Sequence, residues 1–300
     1  MMGIIQVDNL TKKFGKVTAL NQISLQVNEG EVFGFIGPNG AGKTTTIRSI
    51  LGILKPNEGK INVFGKDAWK EAVAIHKQIA FVPGEVSLWS NLTGGEVIDL
   101  FAKLRGSQNK NRRDEMIERF DLDPSKKCRS YSKGNRQKVA LVSALSVDAD
   151  LYLLDEPTSG LDPLMERVFQ AYIKELKAAG KTVFLSSHIL SEVEQLCDRV
   201  SIIREGHLIE TGSLKELRHL MRNQVVIETL SPVSNVEGFE GVYDLTVKDN
   251  LYKFQTEARH IASIMNQFNE YGILNFESMP PTLEDLFIHH YSNGGKKKHE

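Results

Sequence analysis

One glycine-rich stretch constrains the fold of this chain more than any other: Gly37, Pro38, Asn39, Gly40, Ala41, Gly42, Lys43 and Thr44. An apolar run, residues 32–36, precedes it, and a helix-forming segment follows from Thr45. Glycines let the backbone turn its N–H groups towards bound oxygen atoms, and the free amides of a helix start add further donors. Lys43 reaches the β- and γ-phosphates, and the Thr44 hydroxyl ligates Mg²⁺. The sequence therefore predicts a nucleoside triphosphate site of strand, loop and helix.

Composition limits the other possibilities. The chain has 300 residues, enough for two domains, and a formal net charge of -1, which gives no basic field for nucleic acid. Its two cysteines stand in no metal-type spacing, and we interpret them as packing thiols of a reducing compartment. No run approaches the roughly 18 apolar residues of a membrane span, and no signal sequence is present. We therefore expect a cytoplasmic protein that reaches a membrane only through a partner.

We call residues 37–44 the phosphate cradle. The segment before this cradle carries one notable aromatic residue. Residues 4–9 and 23–27 are rich in β-branched residues and predict short strands, with residues 11–16 as the turn region between them. Phe14 lies in that predicted turn, just ahead of the nucleotide site. It is a candidate for stacking on adenine, although an isolated Phe near an edge strand is also compatible with ordinary packing.

Two carboxylates follow a buried-type strand further along the chain. The apolar run 151–154 ends in Asp155 and Glu156, and a second apolar run, 181–185, is followed by His188. In open α/β sheets ligands bind beyond the carboxyl ends of the strands. We therefore expect Asp155 to hold Mg²⁺ through water, and Glu156 and His188 to face the terminal phosphate. Solvated acids and a packing histidine are the alternatives.

A second candidate anion site lies at residues 131–139, where a turn leads into an apolar helix. Ser132 is a natural N-cap, and free amides at Lys133, Gly134 and Asn135 point out of such a helix start. On spacing alone, a plain capped helix is the favoured interpretation.

In this order, the motifs resemble the ATP-binding cassette (ABC) family from about residue 4 to residue 216. Residues 37–44 match its Walker A motif, 131–135 its signature, 151–156 its Walker B strand, 159–162 its D-loop and His188 its switch histidine. The resemblance implies an α/β P-loop NTPase fold with a mainly parallel core sheet, an antiparallel β subdomain and a helical subdomain.

The resemblance also implies a shared site. Family members form head-to-tail dimers around two ATP molecules, so Ser132, Lys133, Gly134 and Asn135 are expected to contact the ATP of another subunit, in a homodimer or a cassette heterodimer. Asp162 is expected to connect the two sites. Glu156 then acts as general base, while His188 and Lys43 hold the γ-phosphate beside Mg²⁺.

This sequence departs from the family pattern in two places. Gly84 stands where the family has a glutamine that contacts Mg²⁺ and the permease, and Glu85 beside it is a candidate metal contact or a solvent-facing residue. Lys133 and Asn135 replace the commonest glycine and glutamine of the signature, although the backbone donors remain.

We expect three parts along the chain. Residues 1–220 form the ATPase domain with a helical insert at about 91–146, residues 221–292 form a small α+β accessory domain, and residues 293–300 form a disordered tail. In the accessory domain, residues 225–227, 242–247 and 251–255 predict strands, 248–250 a hairpin turn, and residues 261–271 a helix whose apolar stripe is its core. Pro280 begins a closing helix.

The predicted function is that of an ATPase subunit that drives a separate membrane permease from the inner face of the cell membrane. Residues 82–105, the signature wording and the C-terminal extension resemble bacterial exporter cassettes of the drug and antibiotic-peptide type. The alternatives are an importer cassette or a soluble cassette ATPase acting on nucleic acid or ribosomes. The absence of a long coiled-coil insertion and of a second cassette disfavours the soluble alternative.

Overall fold

A computed structural model describes residues 3–106, 109–219 and 222–285 of the chain. The described residues form two compact units that divide after Gly212. The strands of the first unit are β1 Gly3–Phe14, β2 Val17–Asn28, β3 Val32–Ile36, β4 Glu58–Val63, β5 Lys66–Asp67, β6 Ile79–Val82, β7 Leu151–Asp155, β8 Thr182–Ser187, β9 Arg199–Arg204 and β10 His207–Ser213. Its helices are α1 Lys43–Ile50, α2 Ala72–His76, α3 Gly94–Leu104, α4 Lys110–Arg119, α5 Lys133–Leu145, α6 Pro163–Ala178 and α7 Leu190–Leu196.

A six-stranded sheet forms the centre of the first unit, in the order β10-β9-β3-β8-β7-β6. Strands β9, β3, β8, β7 and β6 are parallel neighbours. Every residue of β3, β7 and β8 is buried, as expected of apolar strands that are covered on both faces. The parallel arrangement brings the ends of β3, β7 and β8 to one edge of the sheet, and it confirms the predicted α/β class.

A second, antiparallel sheet has the order β2-β1-β4-β5, and its strands are longer than the sequence predicts. The predicted turn region at residues 11–16 is wrong, because β1 continues to Phe14 and only Gly15 and Lys16 form the turn. The register between β1 and β2 shifts at several positions, so that β1 remains paired with β2 across its polar residues. Asn9 adopts a positive φ of 48° at one of these irregularities, a conformation that asparagine tolerates.

The insert between β6 and β7 is mainly helical, as predicted, and contains α3, α4 and α5. A capping box begins α3: the Thr93 hydroxyl accepts from the Glu96 amide at 3.1 Å, and the Glu96 carboxylate accepts from the Thr93 amide at 2.6 Å. Val97, Ile98 and Met116 face the interior and are buried. The insert therefore has its own well-defined helix starts.

The second unit contains a four-stranded sheet in the order β12-β13-β11-β14, together with helices α8 and α9. Its elements are α8 Leu214–His219, β11 Asn223–Thr229, β12 Tyr243–Lys248, β13 Leu251–Thr256, α9 Ile261–Asn269 and β14 Ile273–Met279. Ile264 and Phe268 of α9 are buried in a core with Ile227, Tyr252 and Phe254, so the predicted apolar stripe is core as expected.

Strand β14 was not predicted, because its apolar and polar residues do not alternate regularly and most of them are exposed. It pairs with β11 over most of its length. The predicted closing helix is described only in its first residues, where the Asp285 carboxylate accepts from the Thr282 amide at 2.9 Å. The rest of that helix and the predicted tail at 293–300 lie outside the described residues.

Candidate nucleotide-binding site

The phosphate cradle lies between the end of β3 and the start of α1. Gly42 is the N-cap of α1 and has φ 115°, a backbone conformation that disfavours any side chain. Among the described residues, no protein group accepts from the amides of Lys43, Thr44 and Thr45. These amides border a cavity of about 180 Å³ that is also lined by Asn39, Gly40 and Glu156. Free amides around a cavity at a helix start are the geometry that binds phosphate oxygens.

Lys43 is 4% exposed, and its ammonium is held within the cradle. Nζ donates to the carbonyl oxygens of Gly37 at 2.7 Å and Pro38 at 3.2 Å, and lies 3.1 Å from Glu156 Oε1. A buried ammonium requires an anionic partner, because removing it from water is otherwise costly. In this structure the partner is Glu156.

Asp155 is 1% exposed at the end of β7 and is bound from two sides. The Thr44 hydroxyl donates to Oδ2 at 2.8 Å, and the Ser186 hydroxyl donates to Oδ1 at 2.5 Å. Asp155 and Ser186 are partners in the register of β7 and β8, which fixes the carboxylate beside the cradle. The sheet thus brings Thr44 and Asp155 together, as the sequence predicts.

Glu156 links the cradle to the switch histidine. Its backbone has φ 46°, and its amide donates to the Ser186 carbonyl oxygen at 3.1 Å. One carboxylate oxygen faces Lys43, and the other lies 3.3 Å from His188 Nδ1. The imidazole of His188 is 47% exposed, so one ring face remains open to a ligand.

Gly84 lies directly beside Asp155. A Cβ on Gly84 would stand 3.2 Å from Asp155 Oδ2 and 3.3 Å from its Cγ, closer than side chains normally pack. Glu85 is exposed, and it has no hydrogen-bonding or ionic partner among the described residues. The backbone at Gly84, rather than a side chain, therefore lies against the carboxylate, and the candidate metal contact of Glu85 stays a prediction.

The signature lies at the start of α5. Ser132 is its N-cap, as predicted, and its hydroxyl accepts from the Asn135 amide at 3.3 Å. Lys133 Nζ donates to Ser159 Oγ at 2.9 Å, which ties the signature to the D-loop of the same chain. Asp162 caps α6, accepting from the amides of Leu164 and Met165 at 3.0 Å.

Phe14 stands apart from these contacts. Its ring is 48% exposed at the end of β1, and the Lys12 ammonium lies 5.1 Å from the ring centroid. It does not line the cradle cavity. An exposed ring held by a cation is available for stacking, so its role towards adenine stays a prediction.

The residues present fit a magnesium nucleotide. Three free amides and Lys43 supply donors for phosphate oxygens, while the Thr44 hydroxyl and the Asp155 carboxylate, 2.8 Å apart, supply the hard oxygen ligands that Mg²⁺ prefers. Sequence reasoning missed the contribution of Ser186, which orients both Asp155 and Glu156. No sequence signal identifies it, because a serine in an apolar strand resembles any buried hydroxyl.

The fold and the cradle together define a P-loop NTPase. Comparison with known families narrows this class, because the family described as ABC transporter matches residues 20–159. A second family, described as the C-terminal domain of DrrA1-3-like ATP-binding proteins, matches residues 212–291. The chain belongs to the ABC transporter ATP-binding proteins.

Relatives of known name match between about seven tenths of the chain and nearly all of it. The bacitracin transport ATP-binding protein BcrA of Bacillus licheniformis is 34% identical over 96% of this chain and 97% of its own length. The daunorubicin resistance ATP-binding protein DrrA3 of Streptomyces coeruleorubidus is 37% identical over 71% of this chain and 69% of its own. A solved dimeric ATP-binding cassette, MJ0796, bound to ADP and Pi after hydrolysis, is 27% identical over 70% of this chain and 98% of its own, with a TM-score of 0.64.

This membership confirms the predicted class of activity. The chain is an ATP-binding and ATP-hydrolysing subunit that works with a separate transmembrane permease. Within the described ranges, no helix combines the length and the apolar character needed to cross a bilayer.

Proposed function

We propose that this chain energises an exporter of drug-like or antibiotic-peptide substrates. The observation that supports this most is the match to bacitracin transport proteins over 96–97% of the chain, together with the C-terminal module that matches the DrrA-like family. An importer cassette uses the same motor, so the direction of transport depends on the permease. We assign residues 221–292 as an accessory domain of this exporter class.

We infer that the cradle amides of residues 43–45, with Gly37 to Gly42, hold the phosphates of ATP, and that Thr44 and Asp155 hold Mg²⁺. Bound Mg²⁺ supplies charge stabilisation to the transferring phosphoryl group. Ser186 keeps the Asp155 carboxylate turned towards Thr44 through its short hydrogen bond. Exposed Phe14 is positioned on the strand ahead of the cradle to stack on the base.

Hydrolysis follows from the three-residue contact of Lys43, Glu156 and His188. When phosphate oxygens take the Lys43 ammonium, the Glu156 carboxylate is released from its ion pair and accepts a proton from the attacking water. His188 keeps the second Glu156 oxygen in place through Nδ1 and presents the rest of its ring to the γ-phosphate. Lys43 stabilises the charge that develops there.

We further propose that two copies, or this chain and a second cassette, close head to tail around two ATP molecules. Ser132, Lys133, Gly134 and Asn135 then contact the γ-phosphate held by the other copy, and Asp162 connects the two sites. In the free chain, Lys133 is bound only to a neutral hydroxyl among the described residues, so its charge is available to an anion.

An apolar groove in the first unit is a suitable contact for the permease. It encloses about 470 Å³ beside the Gly84 loop and is lined by Ile53, Phe81, Val86, Leu88 and Phe101. Leu104 and Trp89 nearby are 73% and 53% exposed. We propose that a short amphipathic segment of the permease binds in this groove and thereby holds the protein at the inner face of the cell membrane.

The catalytic assignment is tested by Glu156→Gln. We expect turnover to fall by about 10²–10⁴-fold. Nucleotide binding is expected to persist and to tighten, because the carboxylate that competes for Lys43 is gone. Single-turnover hydrolysis and fluorescent-nucleotide titration measure the two effects, with Glu118→Gln, at an exposed position of α4, as a matched control. A variant that hydrolyses ATP at the normal rate would remove Glu156 from this role.

The exporter assignment is tested by purifying the full chain from membranes with its permease. Reconstituted vesicles are expected to transport bacitracin-like peptides away from the face that carries the ATPase, and not when Glu156→Gln replaces the native chain. Transport towards that face identifies an importer. Recovery of the chain on ribosomes or DNA would overturn the transporter proposal.

A further inference from the structure

Glu192 of α7 is a buried carboxyl group outside the ATP-contacting set. It is 4% exposed, and its Oε2 accepts from the Ser187 hydroxyl at 2.9 Å and from the Thr158 hydroxyl at 3.3 Å. A single carboxylate oxygen therefore binds both the turn after β7 and the last residue of β8, where the next loop begins. No other described side chain joins these two hydroxyl groups.

Each of these loops carries residues of the hydrolytic site. Ser187 immediately precedes His188, and its Oγ also accepts from the Ile189 amide at 3.0 Å, so it holds both sides of the histidine. Thr158 follows Glu156 by two residues, and its carbonyl oxygen accepts from the Leu161 amide at 3.0 Å in the turn that leads to Asp162. Glu192 is thus the common anchor of the turn after β7 and the loop after β8.

This anchor is unfavourable for stability when taken alone. Glu192 Oε1 has no hydrogen-bond partner within the described ranges, and an unsatisfied buried polar atom costs free energy. Burial raises the pKa of Glu192 to about 6, more than the hydrogen bonds from Ser187 and Thr158 lower it. A costly buried acid between two site loops points to a role in the site.

The groups that act on Glu192 come from the neighbouring elements. Glu166 of α6 is a like charge that also favours the neutral form of Glu192. The buried thiol of Cys197, just after α7, interacts with the same carboxylate. Strand β3 packs on α7 through Gly34, beside Val193, and brings no charge there, while β8 contributes the Ser187 hydroxyl and then His188.

We propose that Glu192 is a positioning residue that fixes the turn bearing Glu156 and Asp162 relative to the loop bearing His188. The inference rests on the proposed roles of Glu156 and His188. The ionised carboxylate holds both hydroxyl groups on one oxygen. Protonation weakens both hydrogen bonds, because charge-assisted hydrogen bonds are roughly twice as strong as neutral ones. The geometry of the site therefore depends on the charge of a residue that does not touch the nucleotide.

Two substitutions in the full-length chain test this role. Glu192→Ala removes both bonds, and we expect kcat for ATP to fall about tenfold to a hundredfold while nucleotide affinity changes less than about threefold, because a misplaced base slows the chemical step. Glu192→Gln keeps the shape but not the charge. Its kcat is expected to equal that of the wild type below about pH 5.5 and to fall progressively behind it above about pH 6.5.

Matched controls separate this effect from other causes. Glu194→Gln makes the same change on the same helix and is expected to keep the wild-type pH profile, and His188 is retained in every variant. Circular dichroism and thermal unfolding verify that each variant folds. If Glu192→Gln matches the wild-type rate across pH 5–9, or lags it by a constant factor, the positioning role is wrong.

A negative result for the Glu192 variants can be distinguished from failure of the proposed function. Normal hydrolysis by Glu156→Gln would overturn the catalytic assignment itself. Loss of hydrolysis in Glu156→Gln, together with unaltered Glu192 variants, would overturn only the inference about Glu192.

Discussion

Glu156 has a strained backbone conformation, and its side chain lies between two other residues of the candidate site. Its φ of 46° lies in a region that residues with a Cβ rarely occupy, and such conformations cost about 1–3 kcal/mol. The bond from its amide to the Ser186 carbonyl oxygen holds this geometry. The same turn directs its two carboxylate oxygens to Lys43 and His188. We infer that the strain is retained because it aims the carboxylate between these two groups.

Gly84 leads to a second prediction at this scale. Gly84→Ala places a methyl group within 3.2–3.3 Å of the Asp155 carboxyl group and displaces it from Thr44. We expect the Mg²⁺ concentration that gives half-maximal ATPase activity to rise by about tenfold, the usual effect of disturbing a group that orients a metal ligand. Mg²⁺ titrations of the steady-state rate measure the change.

The exposed Ser87 of the same loop supplies the control. Ser87→Ala is expected to leave the Mg²⁺ titration unchanged. An unaltered titration in Gly84→Ala would mean that the loop moves away from Asp155 at no cost.

Glu192 also predicts how stability depends on pH. Its folded-state pKa, about 6, lies above its ordinary value of 4.5, so the folded chain binds the extra proton between these values. The contribution of Glu192 to the free energy of unfolding is therefore largest below about pH 4.5 and is lost as the pH rises to about 6. The loss amounts to about 2 kcal/mol.

Glu192→Gln removes this titration. Urea unfolding is expected to give a variant that gains on the wild type as the pH increases from 4.5 to 7. A difference in unfolding free energy that does not vary with pH would show that Glu192 is not buried in its neutral form at low pH.

At the scale of single elements, helix α3 depends on its capping box. Thr93→Ala removes the hydroxyl that accepts from the Glu96 amide, and we expect the free energy of unfolding to fall by about 1 kcal/mol. The backbone bond from Thr93 lowers the pKa of Glu96, so the contribution of that carboxylate is present above pH 4.5 and is lost as the pH falls below it. Chemical denaturation at pH 7 and at pH 3.5 measures both effects.

Ser90→Ala, at an exposed position just before α3, is the matched control and is expected to change stability by less than about 0.5 kcal/mol. Equal losses in Thr93→Ala and Ser90→Ala would show that the capping box makes no specific contribution.

The sequence predicts those strands and helices that are specified by a short run of neighbouring residues. The buried strands β3, β7 and β8 and the cap of α5 follow from continuous apolar runs and from Ser132. The length of β1 does not follow from the sequence. The strand continues through polar residues, and only their pairing with β2 shows that they belong to it. Strand β14 was missed because its apolar and polar residues do not alternate regularly, and only its pairing with β11 defines it as a strand.

Some residues of the candidate site can be predicted from the sequence and others cannot. The cradle, Asp155 and Glu156 are predicted from their motifs and from their positions at strand ends, and the structure brings Thr44 and Asp155 together as expected. The roles of Ser186 and Glu192 depend on contacts over 31 and 34 residues of sequence, which no local pattern reveals. Burial and partnership of a polar residue are tertiary properties.

For the whole molecule, the two compact units predict two thermal transitions. The first unit has its core around Ile5, Phe35 and Phe184, and the second has a separate core around Phe268. The proposed nucleotide contacts lie in the first unit. In the Glu156→Gln variant, which we expect to bind ATP without hydrolysing it, calorimetry is expected to show one transition whose temperature rises with MgATP concentration and one whose temperature does not.

The transition temperature of the nucleotide-binding unit is expected to rise because a ligand that binds only the folded state stabilises it. About a hundredfold excess of MgATP over its Kd adds about 2.7 kcal/mol to the stability of that unit. Magnesium with AMP serves as the control, since it lacks the β- and γ-phosphates. A single transition that shifts as a whole with MgATP would show that the two units unfold together.

The ion pair between Lys43 and Glu156 has a further consequence, for the choice of anion. A carboxylate tethered 3.1 Å from the ammonium acts as a competing ligand of high local concentration, which for linked groups is millimolar or greater. We expect Glu156 to outcompete a monovalent or singly bound anion, whereas a triphosphate that also binds several amides displaces it. After hydrolysis, once Glu156 has given up the proton that it took from water, we expect its carboxylate to return to Lys43 and to speed release of phosphate. We therefore infer that Glu156 is a competing ligand within the site, which excludes weakly bound anions and helps to displace the product.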